Sequence, residues 1–166
     1  MADEVHIKLA TADDAAKVLD FLRQAATESD AVLIPHLADV TAEQERRNIE
    51  MINSFDDCVI MLAMLGNQPI GIVTVMVLEK QPNAGELGVV VAKPYWRNGI
   101  GQLLVGEAEY WFQNYSSLQR LVLTVFAENV PAIRLYQKLG FRQTGQHRDG
   151  QRKVCRKFLK WLVKQR

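Results

Sequence analysis

Two glycines, set two positions apart where an apolar run meets an amphipathic one, are the residues of this chain best placed to do chemistry. In Val89-Val90-Val91-Ala92-Lys93-Pro94-Tyr95-Trp96-Arg97-Asn98-Gly99-Ile100-Gly101-Gln102-Leu103-Leu104, a strand-like stretch ends in a short polar turn, and the glycines open a helix. Glycine lets backbone approach a ligand with no Cβ in the way. A helix start leaves several N–H groups unpaired with the positive end of the dipole behind them, a combination suited to phosphate. Two familiar phosphate motifs fail here. A dinucleotide fingerprint needs a third glycine three residues after Gly101, where Leu104 stands, and an acid ending a strand about 20 residues later. A P-loop needs Gly-Lys-Ser/Thr, which does not occur.

Other reactive residue types point nowhere. Cys58 and Cys155 lie far apart in strand-like segments, without CxxC spacing or a neighbouring histidine. They read as buried reduced thiols rather than a disulfide or nucleophiles. His6, His36 and His147 are scattered, so no metal site is expected. Net charge is +1, but the segment from His147 to Arg166 carries eight Lys and Arg against Asp149 alone. Such a tail either draws an anionic partner or is the solvated side of a terminal strand. Aromatic residues are not interleaved with it beyond Phe158 and Trp161, which argues against a nucleic-acid-binding module.

The elements that must position the glycines follow from periodicity and punctuation. Val5 to Leu9 reads as a strand. Thr11 caps a helix with the apolar face Ala15, Val18, Leu19, Leu22, Ala25 and Ala26,. Thr41 and Gln44 form a capping box for a second helix through about Asn53,. Asp57 to Leu65 and Pro69 to Leu78 are strands joined by a hairpin at Gly66-Asn67-Gln68, and a third strand runs from about Gly85 to Ala92,. A helix follows from Gly99 to Phe112, then a strand from Leu121 to Phe126. Pro131 opens a last helix that ends at Gly140, and Asp149-Gly150 turns a final hairpin,. The order predicts an α/β (mixed α+β) fold: a twisted, mostly antiparallel mixed sheet of about seven strands flanked by about four helices. With 166 residues, 48% apolar and 23% charged, the expectation is one domain over residues 1–166,. No apolar run approaches the roughly 20 residues that span a bilayer. The opening Met1-Ala2-Asp3-Glu4 lacks a leader's basic and apolar regions, so a cytoplasmic protein is expected,.

The glycine loop, read with a second block about 30 residues later, resembles the GNAT superfamily of N-acetyltransferases. The family's pyrophosphate loop is written Gln/Arg-x-x-Gly-x-Gly/Ala after a strand. Here Asn98-Gly99-Ile100-Gly101 matches, Trp96 occupies the Gln/Arg position, and Lys93 replaces the usual proline of the strand ending. The second block is Leu121-Val122-Leu123-Thr124-Val125-Phe126-Ala127-Glu128-Asn129-Val130-Pro131-Ala132-Ile133-Arg134-Leu135-Tyr136-Gln137-Lys138-Leu139-Gly140-Phe141. It follows the family's strand, Asn, Leu-Tyr helix and Gly-Phe pattern almost throughout, and the match covers roughly residues 60 to 145.

The resemblance implies acetyl-coenzyme A as co-substrate, no metal, and transfer of acetyl to an amine of a small molecule or peptide in a ternary complex. It places Val89, Val90 and Val91 against the pantetheine arm through their main chain, where the family's sheet splays. Trp96, Arg97, Asn98, Gly99, Ile100, Gly101 and Gln102 cradle the pyrophosphate. Asn129 either bonds the pantetheine or caps the last helix. Tyr136 matches the tyrosine that protonates the departing thiolate. Glu86, or a water chain, takes the amine proton, and the Val91 N–H holds the developing oxyanion. Val32 to Pro35, the second helix and the Asp149-Gly150 hairpin would wall the acceptor pocket, and a homodimer through the sheet edge or last strand is a family habit. The competing reading is a coenzyme A sensor or scaffold without turnover.

Overall fold

The computed structural model describes residues 4–29, 34, 36–148 and 154–161, the last segment with side chains at 156 and 158–160. Among these residues seven strands and four α-helices follow in the order β1 (Val5–Leu9), α1 (Ala15–Glu28), α2 (Ala42–Asn53), β2 (Val59–Leu65), β3 (Gln68–Leu78), β4 (Gln81–Val91), α3 (Ile100–Tyr115), β5 (Arg120–Phe126), α4 (Val130–Lys138), β6 (Arg142–Arg148) and β7 (Val154–Trp161). The strands form one sheet in the order β1-β2-β3-β4-β5-β7-β6. Every neighbouring pair is antiparallel except β4 and β5. The mixed, mostly antiparallel sheet with four helices is as the sequence predicts. The Asp149-Gly150 turn lies outside the described residues, as do Val32, Leu33 and Pro35 of the expected acceptor wall.

Local chemistry sets the helix starts. Thr41 Oγ1 accepts from the Gln44 N–H at 3.1 Å while Gln44 Oε1 accepts from the Thr41 N–H at 2.8 Å, closing the capping box over α2,. At the start of α1, Asp14 does the reciprocal work, accepting from the Thr11 N–H at 2.8 Å and from Lys8 Nζ. Between β2 and β3 the turn narrows to Gly66-Asn67, with Gly66 at φ 59° in the left-handed region a two-residue hairpin needs,.

Two details differ from expectation. The buried face of α1 is Ala15, Val18, Leu19, Phe21 and Ala25; Phe21 joins it, Leu22 is half-buried and Ala26 is exposed. This helix packs on α2 as well as on the sheet, so its buried stripe is wider than one periodic line,. Second, β4 begins at Gln81, four residues before Gly85. The segment Gln81-Pro82-Asn83-Ala84 is polar and reads as loop, but tertiary bonds hold it extended. Asn83 Nδ2 donates to Gln119 Oε1 at 3.1 Å, the Gln119 N–H donates to the Asn83 carbonyl at 2.8 Å, and Arg120 bonds Gln81.

Helices cover both faces of the sheet. On one, α3 and α4 bury Val73, Val75, Leu104, Phe112, Leu121 and Phe158; on the other, α1 and α2 bury Val18, Ile49, Ile60, Leu62 and Ile72. Gly85 sits in the first layer where β4 meets β5. A Cβ there would stand 2.6 Å from both Leu118 Cδ1 and Val75 Cγ1. Gly85→Ala should therefore destabilise the fold by about 1–3 kcal/mol, as overpacking does. Urea unfolding monitored by circular dichroism checks this, and an unchanged midpoint would refute the close fit.

Candidate active site

The centre of the site is a place where the sheet comes apart. The parallel strands β4 and β5 pair over only three positions, Ala84↔Arg120, Gly85↔Leu121 and Glu86↔Val122. Beyond them β4 stays in register with β3 as far as Val91, and β5 stays paired to β7 as far as Phe126. Held by different partners in a twisted sheet, the two strands part after Glu86. The gap thus opens five residues before the strand ends, earlier than the family pattern led us to expect.

Which backbone groups face this gap follows from ladder alternation. The Ala92 N–H donates to the Ile70 carbonyl at 2.9 Å, so Ala92 points its polar groups at β3. In an antiparallel pair, alternate residues do the same. Val90 therefore faces β3, whereas Val89 and Val91 turn their N–H and C=O toward the gap. Of the three valines expected to offer main chain there, the structure brings two and turns Val90 away. One of the exposed acceptors is already used, because Trp96 Nε1 donates to the Val91 carbonyl at 2.7 Å. The Val89 N–H and C=O and the Val91 N–H have no partner among the described residues.

Beyond the strand, Arg97 and Gly99 both adopt left-handed backbone, at φ 65° and 80°. Such residues in a turn swing successive N–H groups to one side and create an anion-binding concavity. Gly99 is the N-cap of α3 and supplies no side chain to satisfy the first N–H groups of that helix,. The two glycines serve different needs. A Cβ on Gly99 would meet nothing within 4 Å, so its requirement is conformational; one on Gly101 would stand 3.3 Å from Leu135 Cδ2, so its requirement is space for α4,. Arg97, Asn98 and Gln102 are exposed, and Ile100 is buried in the core beneath them. Trp96 is 45% exposed, and with its indole N–H committed to Val91 it ties the loop to the strand end.

Three contributions escape sequence reasoning. Lys138 Nζ donates to Gln102 Oε1 at 3.2 Å, which places a cation beside the first turn of α3. Lys93 Nζ lies 5.9 Å from the centroid of the Trp96 ring. The Lys93 N–H donates to Glu28 Oε1 at 3.2 Å, fastening the end of α1 to the turn that precedes the loop. The only signal in the sequence was charge. The pairings join residues 36 and 65 positions apart in two of the three cases, so docking of helices had to supply them.

Asn129 caps α4 through Oδ1, which accepts from the Ala132 N–H at 3.4 Å; its Nδ2 has no partner among the described residues. Capping leaves the amide's donors available. Tyr136 is buried beneath α4, 7% exposed, edge-on to Phe141 with ring centroids 5.8 Å apart. Burial pushes its pKa up to about 12. The phenol is therefore a protonated donor throughout the neutral range. Glu86 is exposed and is the last residue of β4 paired to β5. It stands opposite Met76, which packs with the α1–α2 layer, whereas Tyr136 belongs to the α3–α4 layer. Glu86 and Tyr136 therefore lie on opposite sides of the sheet. Among the described residues, no cluster of three or more His, Cys, Asp or Glu could hold a metal ion, and no helix is long and apolar enough to cross a membrane.

Comparison with known proteins says which family builds this pair of parted strands leading to a bare helix N-terminus. The model of the acetyltransferase (GNAT) family matches residues 19–141, and this chain belongs to that family. An acetyltransferase of the GNAT family from Streptococcus pneumoniae shares 31% identity, with a TM-score of 0.87 over 96% of this chain and 100% of that one. The L-amino acid N-acetyltransferase AaaT of Escherichia coli (strain K12) is 28% identical over 87 residues, which span 51% of this chain and only 54% of that relative. The structure of yncA from Salmonella typhimurium, solved with its cofactor acetyl-CoA, shares the fold with a TM-score of 0.80 at 16% identity over 97% of this chain and 95% of that one.

Burial of Tyr136 has a measurable consequence. An unfolded tyrosine ionises near pH 10, whereas the native one ionises near 12. Between those values the native state holds a proton that the unfolded state has lost, so stability falls as pH rises. Urea unfolding at about pH 9, 10 and 11 should show this chain losing roughly 1.4 kcal/mol per pH unit above pH 10 relative to Tyr136→Phe. Parallel curves would mean that the phenol is hydrated in the folded protein.

Proposed function

We propose that this protein is an acetyl-CoA-dependent N-acetyltransferase that moves an acetyl group directly to a primary amine of a small molecule or peptide, as one domain over residues 1–166. The observation that carries the reading is the unpaired main chain of Val89 and Val91 leading along β4 to the concave, cap-free start of α3. This geometry fits acetyl-CoA: an extended amide-bearing arm suits a strand edge that lacks its neighbour, and a diphosphate suits bare N–H groups at a helix start. The main chain from Arg97 to Gly101, with Asn98 and Gln102, would hold the diphosphate, and Val89, Val91 and the Asn129 amide would hold the arm. Bound there, acetyl-CoA supplies an activated acetyl thioester.

The chain's own groups then handle charge and protons. The Val91 N–H, left free while Trp96 occupies the Val91 carbonyl, offers a donor for negative charge developing on the acetyl oxygen. Tyr136, still protonated because burial opposes its ionisation, gives a proton to the departing sulfur. The attacking amine must be neutral, and an alkylamine's pKa lies near 10 by analogy with lysine. Glu86 at the vertex of the gap, or water beside it, takes the proton that the amine sheds. The kinship with an L-amino acid N-acetyltransferase supports an amino acid as the first acceptor to try. A non-catalytic coenzyme A sensor would share the loop and strand edge but would not need Tyr136.

A panel of amines with acetyl-CoA, followed by free thiol release, tests the activity; no release with any amine would leave the sensor reading. With the best acceptor, Tyr136→Phe should lower kcat by about 10²-fold or more while acetyl-CoA affinity in calorimetry stays unchanged. An undiminished kcat removes the acid role. For Glu86→Gln, the expected result is a kcat lower by at least about tenfold with KM for acetyl-CoA unaltered. An unchanged kcat assigns that proton to water.

A further inference from the structure

A cavity of about 610 Å³ opens between β1, the start of β2 and the last turns of α3, at the opposite end of that helix from the glycine loop. None of the residues assigned above to the gap, the loop or proton transfer lines it. Its character comes from helical spacing. Glu107, Tyr110 and Trp111 stand at i, i+3 and i+4 on α3, with Tyr115 four residues further, so all four share one side of the helix,. Phe55, from the segment joining α2 to β2, completes an aromatic lining. Phe55, Tyr110 and Tyr115 are 60%, 55% and 65% exposed, and the two tyrosine rings meet edge to face with centroids 6.2 Å apart. Of the nine large hydrophobic side chains exposed among the described residues, three are thus aromatics facing one cavity, and Leu9 is a fourth liner. Scattered exposed apolar residues need no explanation, but a clustered set does.

The charges of the lining decide what fits. Lys8 and Glu107 are its two charged residues. Lys8 is already engaged, donating to both carboxylate oxygens of Asp14 at 3.0 and 2.8 Å. The Glu107 carboxylate has neither a hydrogen bond nor an ion pair among the described residues. A free carboxylate in a lining rich in aromatic rings, whose faces carry a negative quadrupole, complements a positive charge on an apolar body,. An anion would meet repulsion from both, and a neutral apolar ligand would leave the carboxylate unused. We propose that this cavity binds a small organic cation, an alkylated ammonium seated against Phe55, Tyr110 and Tyr115 with Glu107 balancing its charge. The site is separate from the acyl-transfer site and does not depend on acetyl transfer.

The probes are choline and its neutral isostere 3,3-dimethyl-1-butanol, titrated into the full chain. Calorimetry measures affinity, and proton NMR of the ligand measures ring-current shift. Choline should bind in the millimolar range, with its methyl protons shifted upfield by the rings, and the isostere should bind more weakly. Glu107→Gln should weaken choline by about three- to tenfold. Tyr110→Leu with Tyr115→Leu should cut the upfield shift by more than half without moving the melting temperature, because both rings are more than half exposed. Equal binding of the isostere would overturn the cation and leave an apolar groove. No choline binding would overturn the site altogether. So would choline-insensitive dimerisation lost in the tyrosine double variant, since the occupant would then be a second copy of the chain.

Discussion

Two neighbouring strands that cannot stay together organise this molecule. After Glu86 and Val122 the ladder between β4 and β5 stops, because each strand is held by an antiparallel neighbour on its far side. A sheet interior normally satisfies every backbone donor and acceptor, so leaving Val89 and Val91 without a strand partner is costly unless water or a ligand replaces it. The divergence lies inside the sheet rather than at its rim, flanked on both sides by intact ladders. That position gives the unpaired edge a rigid setting, which a sheet margin or a loop would not provide.

The other parts are arranged around that edge. Trp96 returns to the Val91 carbonyl and pins the loop to the strand, which leaves the Val91 N–H as the free donor of that residue. Left-handed backbone at Arg97 and Gly99 then turns the chain into α3 with no cap in place. Close packing at Gly101 draws α4 against α3, and this docking carries Lys138 to Gln102 and sets Tyr136 beneath its own helix. Glu28 does the same from the opposite layer, reaching the Lys93 N–H. Side chains from both helical layers therefore brace the two ends of the loop.

Tyr136 shows how environment shifts a common side chain. An exposed phenol would be a protonated donor at neutral pH as well, but solvent would compete for it. Buried against Phe141, it keeps its proton more firmly and has no hydrogen-bond partner among the described residues. The same burial makes it cost stability at high pH,.

Much of this was legible before any coordinates. Gly66, the Thr41 and Gln44 capping box, Pro131 and Gly140 are local devices whose physics lies within a few residues, and periodicity located the strands up to Phe126 and the helices to within a few positions. The order of elements and the two motif blocks sufficed for the fold and the family. Relations between distant segments stayed hidden. Polar Gln81-Pro82-Asn83 reads as loop, yet it is strand, held by its pairing to β3 and by bonds to Gln119 and Arg120. Three successive valines look alike in sequence, yet ladder alternation turns Val90 toward β3 and only its neighbours toward the gap. Register, helix docking and the parting of β4 from β5 arise from packing across tens of residues, so tertiary structure alone decided which groups face the site.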